Sequence, residues 1–134
     1  MASKHLDLRI RRAYDPPAAD DGVRILIDRL WPRGLRKQDA QIDHWLKGLG
    51  PSTALRVWFG HMPERFAEFS SRYLAELDAL PEDAPDLLTL RDALQAGRVT
   101  LLFAAHDPHV NHARVLEDWL HRPHAWMRND GPVS

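Results

Sequence analysis

Leu6, Leu8 and Ile10 alternate with polar neighbours, and this period of two predicts a half-buried strand over residues 5–12. The stretch Asp15-Pro-Pro-Ala-Ala-Asp-Asp-Gly22 is a loop by its paired prolines and closing glycine. Val23, Ile25 and Ile27 renew the alternation and predict a second strand over about residues 23–30. Between 35 and 50 the pattern is ambiguous. Ile42, Trp45, Leu46 and Leu49 keep helical spacing, but Gly48, Gly50 and Pro51 close the segment quickly.

Ser52 is a natural N-cap for a short helix over 53–59, because its hydroxyl can accept from a free amide of the first turn. Pro63 and Glu64 suit the first turn of a longer helix over 63–79. Phe66, Phe69, Tyr73, Leu77 and Leu80 form its apolar stripe, which predicts a core face. After a proline-bearing loop at 81–85, Asp86 is the expected cap of a helix that runs to Ala96. Gly97 is its expected left-handed terminus.

Residues Arg98 to Ala105 are apolar along most of their length, as befits a strand covered on both faces. Asp107 and Pro108 then predict the cap and first position of a last helix over 108–120. Residues 121–134 lack periodicity and read as a tail, anchored by Trp126.

This order predicts a single α/β domain over 1–120: three layers, with a small, mostly parallel sheet flanked by helices. The long helical link between the second and third strands requires a crossover, which makes those strands parallel. Their C-terminal ends then share one edge, the place where open α/β sheets bind ligands.

Composition narrows the chemistry. The absence of cysteine excludes thiol catalysis, disulfides and cysteine-held metals, and makes a cytoplasmic location the default. No apolar run approaches the ~18 residues of a membrane span. A net charge of −1 gives no overall attraction to nucleic acid. The charge is uneven, however. Residues 1–37 hold nine Lys/Arg against five Asp/Glu, whereas residues 62–92 hold three Arg against eight acids. No Gly-x-Gly-x-x-Gly, phosphate-binding loop or Gly-x-Ser-x-Gly occurs, which disfavours the common dehydrogenases, P-loop enzymes and serine hydrolases.

The candidate chemistry sits at the strand ends. Arg29 and Arg33 offer planar donor forks that match phosphate or carboxylate oxygens. Arg29 also has a structural alternative, an ion pair with Asp28 or Asp107. Asp28 and Asp107 are candidate bases or orienting groups, and His61 and His112 candidate proton donors or shuttles. Asn111 is a candidate ligand contact. Trp31 could stack a base or simply close the core beneath its turn; Trp45, Trp58 and Trp119 read as core. His106, His109 and His112 invite a metal, but their spacing matches no zinc signature, so no metal or cofactor is assigned.

Asp28-Arg-Leu-Trp-Pro-Arg-Gly34, Trp45, Pro51-Ser52, Leu55-Arg-x-Trp-Phe-Gly-His61, Tyr73, Thr100-Leu-Leu-Phe-Ala-Ala105, Asp107 and Asn111-His-Ala113 stand in one order over about residues 5–120. In this the chain resembles the YeaO-like family of small bacterial proteins, a domain of unknown function. The resemblance implies a compact α/β fold and one shared polar site, and brings no established activity. Two departures stand out. Met62 occupies the place where the family often has Asp, and Asn111-His112 replaces a Cys-His pair of more distant relatives.

The leading expectation is therefore a protein that binds a small anionic ligand, phosphate-bearing or nucleotide-like, with or without turnover. The alternatives are a nucleic-acid module using the basic N-terminal part and Trp31, and a regulatory protein docking a partner through the acidic 62–92 region. Oligomeric state is not legible.

Overall fold

A computed structural model describes residues 6–127. Four strands form one entirely parallel sheet: β1 (Leu8–Arg12), β2 (Val23–Leu26), β3 (His44–Trp45) and β4 (Val99–Phe103), in the spatial order β1-β4-β2-β3. The register places Ile10 and Ile25 on either side of Leu101, and Arg9 and Arg24 on either side of Thr100. β4 lies between two neighbours and is buried along its whole length. This accounts for its unbroken apolar run.

One sheet face carries Val99, Leu101, Phe103, Ile25 and Ile27 into the main core. Against it pack α2 (Thr53–Phe59), α3 (Phe66–Asp78), α4 (Pro85–Ala96) and α5 (His112–Leu120). The expected stripe on α3 is real: Phe69, Tyr73 and Leu77 are buried, and Phe69 stacks on Phe59 with 4.4 Å between ring centroids. The opposite face is covered more thinly, by the one-turn helix α1 (Lys37–Ala40) and by loops that bring Trp31, Leu35, Ile42 and Trp45 over Ala13, Leu26 and Leu102. The third layer is thus mostly loop.

Several boundaries differ from the periodicity. The ambiguous 35–50 segment holds the edge strand β3, whose two residues leave no alternation to detect. Ser52 caps α2 as predicted, accepting from the Leu55 amide at 3.2 Å. Asp86 does not cap α4. Ala84 does, with Pro85 opening the helix, and Asp86 instead accepts from the Gly48 amide at 2.8 Å. Gly97 ends α4, but at φ 159° and ψ −149°, far from left-handed helical values. The last helix begins at His112 rather than 108, and its cap is Asn111 rather than Asp107. Of the tail expected over 121–134, Ala125–Met127 form a short 3-10 turn that buries Trp126, and 128–134 lie outside the described residues.

Among the described residues, no helix is long and apolar enough to cross a membrane.

Candidate functional site

The C-terminal ends of β2 and β4 open into a cavity of about 900 Å³. Every residue proposed from sequence lines it: Asp28, Arg29, Trp31, Arg33, His61, Asp107, Asn111 and His112. The parallel sheet brings all of these but His61 together, because the chain leaves β2 and β4 on the same edge.

Asp28 and His112 form its innermost polar pair. Asp28 stands two residues past the end of β2, and its Oδ2 accepts from the Ala104 amide at 3.0 Å, which ties the end of β2 to the end of β4. His112 Nε2 lies 3.0 Å from Asp28 Oδ1 and 3.2 Å from the Ile27 carbonyl oxygen. The alignment favours the carbonyl, so Asp28 Oδ1 is buried without an aligned donor among the described residues. Tyr73 stands edge-on to His112, with 6.1 Å between ring centroids, and donates its hydroxyl to the Leu49 carbonyl at 2.6 Å. Burial, then the nearby Asp28 charge, raises the Tyr73 hydroxyl far above its ordinary pKa, so this phenol stays protonated and keeps its proton to donate.

The two arginines expected to share a ligand do different work. Among the described residues, Arg29 pairs with no carboxylate. Its Nε and Nη2 donate to the Pro51 and Gly50 carbonyls at 2.9 and 2.8 Å, clamping the loop before α2 against the end of β2. Gly50 permits the approach, since a Cβ there would lie 2.7 Å from the Ile27 carbonyl oxygen. Arg33, in contrast, is exposed, and its guanidinium has no hydrogen bond or ion pair among the described residues. Only its backbone is held, its carbonyl accepting from the Tyr14 hydroxyl at 2.8 Å.

Trp31 closes the core beneath its turn. Its Nε1 donates to the Leu35 carbonyl at 2.7 Å and its ring meets Trp45 edge-on, while another part of it borders the cavity. His61 sits exposed at φ 57°, just after the left-handed Gly60 that ends α2. That turn carries it to the cavity mouth.

Asn111 and Asp107 shape the opposite wall. Asn111 is 1% exposed: its Oδ1 caps α5 at the Arg114 amide, 3.2 Å away, and its Nδ2 donates to the Asp107 carbonyl at 2.8 Å. Asp107 Oδ1 accepts from the His109 and Val110 amides at 2.8 and 3.1 Å, and the His109 bond chiefly holds its carboxyl below its ordinary pKa. Asn111→Ala removes both bonds and is expected to cost about 1–2 kcal/mol in chemical denaturation, the usual range for losing a helix cap. A fully stable variant would show that the 107–111 turn holds itself.

Sequence reasoning missed Arg56. It projects from α2 beside Val57, lines the cavity and, like Arg33, has no side-chain partner among the described residues. No sequence signal marked it, because only the placement of α2 brings it to the cavity. Phe69, read as core from its stripe, and Phe59 also form part of the cavity wall. Among the described residues no three His, Asp or Glu side chains are grouped to hold a metal ion.

Comparison with known proteins places this arrangement. The chain is 42% identical over 115 residues to the uncharacterised protein YeaO of Escherichia coli (strain K12), covering 86% of this chain and 97% of that one. It is 42% identical over 113 residues to an uncharacterised protein of Mycobacterium tuberculosis (strain H37Rv), covering 84% of this chain and 92% of that one. No solved structure matches it. A family model described as the inactive DUF488-N3 subclade matches residues 7–134, and the chain belongs to that family.

Proposed function

We propose that the cavity at the strand ends binds a small anionic ligand, which Arg33 and Arg56 hold by charge-assisted hydrogen bonds. One observation carries this reading: both guanidiniums line the cavity without a protein partner among the described residues, whereas Arg24, Arg29 and Arg98 are each bonded to protein oxygens. An arginine left unpaired beside a concave site keeps its donor fork for an oxyanion. The volume of about 900 Å³ suits a metabolite-sized molecule. Phe59, Phe69 and Pro51 supply apolar wall, and Asp28 and His112 polar floor. The description of the matching subclade as inactive favours binding without turnover.

Titration with pyrophosphate and with sulfate tests this. Both anions are expected to raise the melting temperature, since a ligand of the folded state stabilises it by mass action. Arg33→Ala and Arg56→Ala are each expected to weaken pyrophosphate roughly tenfold, the lower end for one hydrogen bond to a charged group. Neither should alter the melting temperature of the free protein. Absence of any anion-dependent shift would remove the reading.

A further inference from the structure

We infer that His112 presents an unprotonated Nδ1 to this cavity as a hydrogen-bond acceptor, and that the ligand is an anion also bearing a hydroxyl: a hydroxylated phosphate monoester, as in a sugar phosphate or a nucleotide. The inference rests on the anion site proposed above and adds the second half of the ligand.

It follows from which groups can donate. The Ile27 carbonyl, 3.2 Å from His112 Nε2, can only accept, and so can an ionised Asp28 Oδ1 at 3.0 Å. Both demand the proton on Nε2. In the neutral ring that leaves Nδ1 bare, and a bond made by the other ring nitrogen is what selects an imidazole tautomer. Nδ1 has no hydrogen-bond partner among the described residues, and it is absent from their fully buried, unsatisfied polar atoms, so it retains access to solvent. The ring itself lines the cavity and is braced by Tyr73.

The floor is therefore poor in donors. The Ala104 amide is taken by Asp28, the Asn111 amide by the Asp107 carbonyl, and the Tyr73 hydroxyl by Leu49. A bare oxyanion reaching this floor would meet acceptors. A molecule with its anionic group at Arg33 and Arg56 and a hydroxyl at His112 would satisfy both ends.

Nitrogen-detected tautomer analysis of ¹⁵N-histidine-labelled protein tests the first half directly, with His112→Gln identifying the resonance. The Nε2–H form is expected, and an Nδ1–H form overturns the inference. Binding tests the second half. Ribose 5-phosphate and adenosine 5′-monophosphate are compared with methyl phosphate, which has the same anionic group and no hydroxyl. The hydroxylated ligand is expected to bind roughly three- to tenfold tighter, as one neutral hydrogen bond allows.

His112→Phe keeps a ring against Tyr73 but has no acceptor, so it should abolish that gain while methyl phosphate still binds in an Arg33-dependent way. The ligand whose gain is lost identifies the source, sugar phosphate or nucleotide. If neither outbinds methyl phosphate, this inference fails and the anion site stands; if no anion binds at all, it is the anion site that fails.

Discussion

Asp21→Ala is expected to cost about 3–5 kcal/mol of folding free energy, the range for removing one partner of a buried ion pair. Asp21 is 1% exposed and Arg24 4%. Asp21 Oδ2 accepts from Arg24 Nη1 at 2.5 Å and from the Ala18 amide at 2.9 Å, while Oδ1 accepts from Arg11 Nη1 at 3.2 Å. Arg24 spends its remaining donors on the Ala40 carbonyl, at 3.1 and 3.0 Å. Truncating the acid thus leaves a cation in the thin layer of the sheet with nothing to neutralise it inside. The pair Asp21→Leu with Arg24→Met should recover most of the loss, because an apolar pair of similar volume replaces such bridges at little net cost. Equal damage from the single and double variants would show that packing, not charge, is at stake.

The same carboxylate sets a pH dependence. Burial pushes its pKa up, but the Ala18 amide, Arg24 and Arg11 together outweigh burial and hold it below the ordinary value. A group whose folded pKa lies below its unfolded one stabilises the protein fully above the unfolded value, about 3.9 for Asp. That contribution disappears as pH falls through the lowered folded pKa. Acid titration of the melting temperature should therefore fall less steeply in Asp21→Ala than in the parent, and parallel curves would exclude the effect.

Arg24 also shows what the alternation of apolar and polar residues conveys and what it omits. Val23, Ile25 and Ile27 mark β2 and its core face correctly, and the helical stripe of Phe69, Tyr73 and Leu77 marks α3. The same alternation assigns Arg24 to an outward face, yet loops cover that face and bury it. Loops follow no period, so the cover is invisible in the sequence. β3 is hidden for a related reason: two residues paired to Ile25 and Leu26 need only an edge to join, not a pattern.

At the site, the strand ends were legible because parallel topology forces them onto one edge. The partition of labour among arginines was not. Arg29 and Arg33 lie four residues apart in one motif, and only the return of the chain at Gly50 and Pro51 makes one a clamp and leaves the other open. Arg56 belongs to neither strand end and reaches the cavity through the placement of α2, which is a tertiary fact.

That partition makes Arg29 the sharper test of the site's architecture. Arg29→Ala is expected to lower stability by about 3 kcal/mol, since two hydrogen bonds from a charged donor are worth ~1.5–3 kcal/mol each and do not add fully. The loss reaches the cavity as well. The clamped loop carries the Leu49 carbonyl that holds Tyr73, and Tyr73 braces His112. Arg29→Lys keeps the charge but replaces a planar fork with a single point donor, so it should restore only part of the stability. Chemical denaturation of the two variants beside Arg33→Ala separates the roles: Arg29 substitutions move the unfolding midpoint of the free protein, and Arg33→Ala leaves it in place. Should Arg29→Ala prove as stable as the parent, the loop at 50–51 is held by its other contacts, and the Arg29 guanidinium becomes a third donor to the ligand rather than part of the frame.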